Sequence, residues 1–156
     1  IAPLTAINYM KEGLIPMKKK KEIKRKKAIM ILMICIALEE SKFELSLNED
    51  DENSVNFFDP ITDICGCISL KKDMICNILL IDERDELPSQ SIVKKFEKDY
   101  HSEFRIDCGS NHNALLFYYN NITIPENTTM HTFQALIMNA VITVLRFRKF
   151  EGGFSK

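Results

Sequence analysis

Three groups of side chains in this 156-residue chain have types and spacings that invite chemistry. Cys108-Gly-Ser-Asn-His112 sets a thiol, a hydroxyl and an imidazole within five residues. A thiolate nucleophile needs a base in hydrogen-bond reach and a third group to orient that base, and such partners are normally distant in sequence. Gly-Ser-Asn is also ordinary turn chemistry, so the stretch reads as a hairpin loop and leaves a small thiol enzyme only as a third function class. Cys65-Gly-Cys67, Cys76 and Cys108 offer four thiolates, but structural zinc sites usually present two C-x2-4-C pairs. On a strand Cys65 and Cys67 point to the same face, which makes them small apolar packing residues. Asp82, Glu83, Asp85 and Glu86 lack the D-x-D-x-D-G spacing of a calcium loop and read as a solvated break.

His101 and His131 have no metal-ligand spacing. The phosphate-cradling, zinc-protease and nucleophile-elbow motifs are missing, and five glycines leave little room for a phosphate loop. The expectation is therefore no catalytic residue, no metal ligand and no cofactor.

The sharpest electrostatic feature is Lys18-Lys19-Lys20-Lys21-Glu22-Ile23-Lys24-Arg25-Lys26-Lys27, which carries eight positive charges and one negative. Placed at the start of a helix, those cations sit at the positive end of the macrodipole while Glu39 and Glu40 sit at the negative end. Both arrangements oppose local helix stability by a few tenths of a kcal/mol, roughly, per charge. The run therefore reads as a contact for phosphates, an import receptor or an acidic partner, or as a solvated start balanced by the acidic stretches Glu49–Glu52 and Asp82–Glu86. A net charge of -1 is far from the basic balance of dedicated nucleic-acid binders, and no aromatic residue is interleaved with the lysines.

Composition bounds the rest. Hydrophobic residues make up 46% and charged residues 28%, as in ordinary globular chains. Five cysteines form an odd set, and Cys35 lies inside an apolar run, which points to a reducing compartment, cytoplasmic or nuclear. The sequons at Asn121 and Asn127 are within chance expectation for such a chain. Lys18 to Lys27 followed by Ala28 to Leu38 has the outline of a signal or anchor. That apolar run is too short to span a bilayer, which needs about 20 residues, and it is expected to be a core helix away from any membrane.

The stretch from Ile1 to Met17 is broken by Pro3, Gly13 and Pro16 and reads as an extended arm, residues 1–17. Residues 18–156 read as one α+β domain. A helix is expected from Lys20 to Ser41, apolar all round in its second half. Strands follow at Phe43 to Leu47, Val55 to Phe58, Thr62 to Leu70 and Asp73 to Ile81, the last two forming a hairpin around Lys71-Lys72. Ile92, Val93, Phe96, Tyr100 and Phe104 mark an amphipathic helix, Phe104 to Cys108 and Ala114 to Tyr119, or on to Ile124, a second hairpin, and Thr129 to Lys149 the last helix.

This order predicts an α+β fold, with a mostly antiparallel sheet of about five or six strands and three helices, two of them strongly apolar. One sheet face buries only one stripe of each apolar helix, so the surplus must be covered by the other helix or by a partner. Phe133, Ile137, Val141 and Leu145 are the expected partner interface. The expected function is a non-catalytic interaction subunit or adaptor that binds a protein partner or a second copy of itself. The alternative is an RNA- or ribosome-associated factor contacting phosphates through Lys18, Lys19, Lys20, Lys21, Lys24, Arg25, Lys26 and Lys27.

Overall fold

Between Met17 and Glu40 there is neither glycine nor proline, and the whole stretch forms one helix, α1. The computed structural model describes residues 17–100, 104–109 and 113–154, with the side chains of residues 17–20, 23 and 73 left outside the description. The expected arm lies outside the described residues except for Met17, which is already helical. Helix α1 closes in a Schellman motif: the Phe43 amide donates to the Leu38 carbonyl and the Lys42 amide to that of Glu39. Lys42 holds the left-handed position usually given to glycine, with φ 67°, and buried Phe43 and Leu38 supply the apolar contact of that motif.

The chain then runs through β1 (Glu44–Leu47), β2 (Ser54–Asp59), β3 (Ile64–Leu70), a 3-10 turn at Lys72–Met74, and β4 (Ile75–Glu83). Helix α2 (Gln90–Tyr100) leads to β5 (Phe104–Cys108) and β6 (Ala114–Thr123), and α3 (Met130–Gly152) is the last element. The strands make one six-stranded sheet in the order β1-β2-β3-β4-β6-β5, antiparallel at every pair. This is the expected α+β class. The second hairpin takes the longer of its two expected extents and reaches Thr123, with β6 bulging opposite Asn77 of β4 before its ladder resumes to Ile75. The Asn77 side-chain Oδ1 accepts the amide of Asn121, which turns through φ 59°.

All three helices lie on one face of the sheet. Helix α1 covers β1 and β2, α3 covers β4, α2 packs on β5, and α3 touches both of its neighbours. Strand register sets the row beneath them as Leu45, Phe57, Gly66, Leu80, Phe117 and Ile106. Gly66 is required there, since a Cβ would sit 2.3 Å from the Phe57 ring and 2.8 Å from Leu80. The aromatic end of this layer joins Phe96 of α2 to Phe147 and Phe150 of α3, with ring centroids 5.1 and 5.3 Å apart. Side chains of alternate parity point to the opposite face, over which no described helix lies.

Candidate functional site

The basic segment forms the first turns of α1. Glu40 sits next to the end of the sheet where β1 begins, while Lys26 and Met30 share a cavity with Met74 and Ile124 at the opposite end. From Lys26 back to Met17 the helix runs a further ~14 Å at 1.5 Å per residue. Lys21, Lys24, Arg25 and Lys26 are exposed on it. Lys27 is 6% exposed, so this member of the expected contact set is turned inward and its ammonium is removed from a phosphate surface. The side chains of Lys18, Lys19 and Lys20 lie outside the described residues.

The acidic turn between β1 and β2 lies at that same end of the sheet. Glu49, Asp50, Asp51 and Glu52 are exposed in it, and the Leu70 amide bonds back to Asn53 beside it. Part of the acid is committed to the turn: Asp51 accepts from the Asn53 amide and from the Ser54 hydroxyl, which is 2.6 Å from its Oδ2. The basic run and the acidic turn, with 21 residues between them in sequence, lie at the same end of the sheet.

On α3 the structure turns the expected interface around. Phe133, Ile137 and Val141 are buried against the sheet at 0%, 1% and 2% exposure, and only Leu145 of that set faces outward. The expected contact line followed a four-residue spacing that slants across the helix, and its first three members fall on the sheet side. The outward apolar residues are Met138, Ile142 and Leu145, each close to two-fifths exposed. On α1 the outward ones are Ile29 and Leu32, at 48% and 59%. The two helices touch, and the Gln134 amide group donates to the Glu40 carboxylate between them at 2.9 Å. Each thus covers part of the other's surplus and leaves a remainder exposed. Helix α3 is also the one helix among the described residues long and apolar enough to cross a membrane. Here its apolar side chains divide between the core and this outer stripe.

Residues suspected of chemistry have structural occupations. Asp82 is the buried penultimate residue of β4, where a solvated break was expected, and it accepts bonds from Arg84 and Arg148. Arg84 also pairs with Glu151 and lies over the Phe147 ring, 5.4 Å from its centre. The bond to Asp82 holds the Arg148 guanidinium above its ordinary value, against the opposing effect of its desolvation. Nothing in the sequence marks Asp82 off from its acidic neighbours except its place in the alternation of β4.

Burial raises the thiols of Cys65 and Cys67, and Glu83 adds to the first while the Ser54 hydroxyl moderates the second. Cys76 is fully buried, pushed up to about 12 by desolvation. A thiol held protonated is a poor nucleophile and a poor metal ligand. Cys108 lies 3.5 Å from the Gln90 side-chain nitrogen, and His112 is outside the described residues.

Among the described residues no group of three or more His, Cys, Asp or Glu side chains is placed to hold a metal ion. One cavity of about 450 Å³ between α1 and the start of α3 has Lys26 and Glu126 as its ionisable groups over Ile29, Met30 and Ile124. Another, of about 230 Å³, is lined by Tyr119, Asn120, Asn121 and Asn139. Neither gathers a nucleophile beside a base. Comparison with protein-family models, with curated proteins and with solved structures finds no match.

Proposed function

We propose that this chain is a non-catalytic interaction module of the cytosol or nucleus that binds a protein partner through the outer face of its helical layer. The observation that carries this reading is the pair of exposed apolar stripes, Ile29 and Leu32 on α1 and Met138, Ile142 and Leu145 on α3. Neither stripe is needed to fill the core, because Ile34, Leu38, Phe133, Ile137, Val141 and Val144 already do so. Large apolar side chains grouped on adjoining helices favour a partner surface over water. Exposed Lys21, Lys24, Arg25, Lys26, Arg146 and Lys149 border the stripes, so the fitting partner has an apolar centre and an acidic rim.

A second reading rests on the exposed Lys21, Lys24, Arg25 and Lys26 of α1, which suit phosphates as well as carboxylates. Salt separates the two. The test compares the full chain with a Leu32→Asp/Ile142→Asp variant as bait, washed at about 0.1 and 0.5 M salt. Apolar docking predicts a defined polypeptide held at both salts and released by the variant. Phosphate contact predicts nucleic acid held only at low salt and indifferent to the variant, since affinity falls with log salt by a slope near one per contact. That second outcome would sink the apolar-docking reading.

A further inference from the structure

Strand β5 ends the sheet, and no described strand lies beyond it. The Gly109 amide donates to the Ala114 carbonyl, so in the register of β5 with β6 the residues bonded inward are every second one, Asp107 and Arg105. Phe104, Ile106 and Cys108 therefore turn their amides and carbonyls to the outer edge. Such a row is a template for another strand, and β5 contains neither the proline nor the bulge that usually blunts one. Its charges are of both signs. Arg105 and Asp107 lie side by side on the open face of the sheet, 61% and 45% exposed, with Nη2 3.1 Å from Oδ2.

We propose that β5 pairs antiparallel with β5 of a second copy of this chain, joining the two six-stranded sheets into one. The two-fold axis passes beside Ile106, which faces its own copy as a hydrogen-bonded pair, while Phe104 faces Cys108 of the second copy. These pairs exchange about six backbone bonds, two at each. Arg105 then falls directly opposite Asp107 of the second copy, at the non-hydrogen-bonded position where Cα atoms are about 4.5 Å apart and side chains approach most closely. Symmetry repeats that pair, and with the ion pair inside each strand the four charges alternate in sign around a square. The Arg105 guanidinium already rests over the Tyr118 ring, 4.8 Å from its centre, so it has less freedom left to lose. The same residues fix the register. A slip of two residues sets Arg105 against its own copy, or Asp107 against its own, and a slip of one sets outward backbone groups against inward ones. The opposite edge, β1, has no such complement, since its four residues carry Glu44 as their one charge. The pairing concerns the sheet edge and does not rest on the helix-face reading.

Sedimentation equilibrium of the full chain from about 0.01 to 1 mM tests it, since a five-residue edge is smaller than a standard interface and suits a Kd on the order of 0.1 mM. Arg105→Asp or Asp107→Arg alone sets like charges across both positions and is expected to weaken the dimer about thirtyfold. The double variant Arg105→Asp/Asp107→Arg and an equimolar mixture of the two single variants are each expected to restore it. Amide exchange gives a second readout: Ile106 and Cys108 are expected to slow about fourfold across that concentration range, while Arg105 and Asp107, already bonded to β6, stay as they are. A monomeric mass throughout overturns the pairing, and so does a dimer indifferent to both single variants or one that neither the double variant nor the mixture restores. Release of the dimer by Leu32→Asp/Ile142→Asp instead places it on the helices and overturns the edge pairing while leaving the helix-face reading intact.

Discussion

Arg148 on α3 and Asp82 on β4 are joined by two bonds, Nη2 to Oδ1 at 2.7 Å and Nε to Oδ2 at 3.3 Å. Arg84 donates to the same carboxylate through Nε and Nη2 and reaches Glu151 with its other nitrogen. This chain of charges fastens the end of the last helix to a central strand. Removing the carboxylate leaves two guanidiniums without their shared acceptor, and breaking a buried pair costs about 3 kcal/mol. Asp82→Ala is therefore expected to lose roughly that much stability in urea unfolding. A loss near zero would mean that water replaces the carboxylate and that the junction is not a fastening.

Gly66 offers a test of the close approach between β2 and β3. The Phe57 ring occupies the place of the missing side chain, so Gly66→Ala must displace an aromatic that is itself 4% exposed. Overpacking of this kind costs about 2 kcal/mol. Pairing Gly66→Ala with Phe57→Leu is expected to recover part of the loss, as contacting residues do in a double-mutant cycle.

The two faces of α3 should respond in opposite ways to substitution. Phe133→Ala removes a fully buried ring and is expected to cost about 4 kcal/mol. Ile142→Lys lies on the outer stripe and is expected to stay within about 0.5 kcal/mol of the parent in the isolated chain. If Ile142→Lys proves as damaging as Phe133→Ala, the stripe is covered within the chain and the partner reading loses its support.

Alkaline pH should weaken the fold. The Cys76 thiol titrates near 9.0 when unfolded and is pushed up to about 12 by burial, so between those values the unfolded chain releases a proton that the folded chain keeps. Stability is then full below about pH 9 and falls as pH rises toward 12. Cys35, Cys65, Cys67 and Tyr119 are raised as well and act in the same sense. Denaturant midpoints at pH 8, 9 and 10.5 are expected to decline, with a shallower slope for Cys76→Ala. A flat series would contradict the burial of these thiols.

Much of the fold is legible in local pattern. The glycine- and proline-free run from Met17, the alternation of Phe43 to Leu47 and the spacing of Ile92, Val93 and Phe96 each set one element, because a helix or strand answers to neighbours a few residues away. The class follows from the order of those elements. What the tertiary structure alone decided is direction and company. Helix α3 is apolar on two sides, so its periodicity could not say that Phe133, Ile137 and Val141 face the sheet while Met138 and Ile142 face out; the position of β4 settles that. Lys27 looks like its neighbours in sequence, yet one further step of 100° about α1 takes it from solvent to the interior. The placing of the acidic turn and the basic segment at one end of the sheet, the meeting of Asp82 with Arg148, and the rows across the open sheet face all join residues from distant segments. Such pairings depend on strand order and register, which no short window of sequence contains.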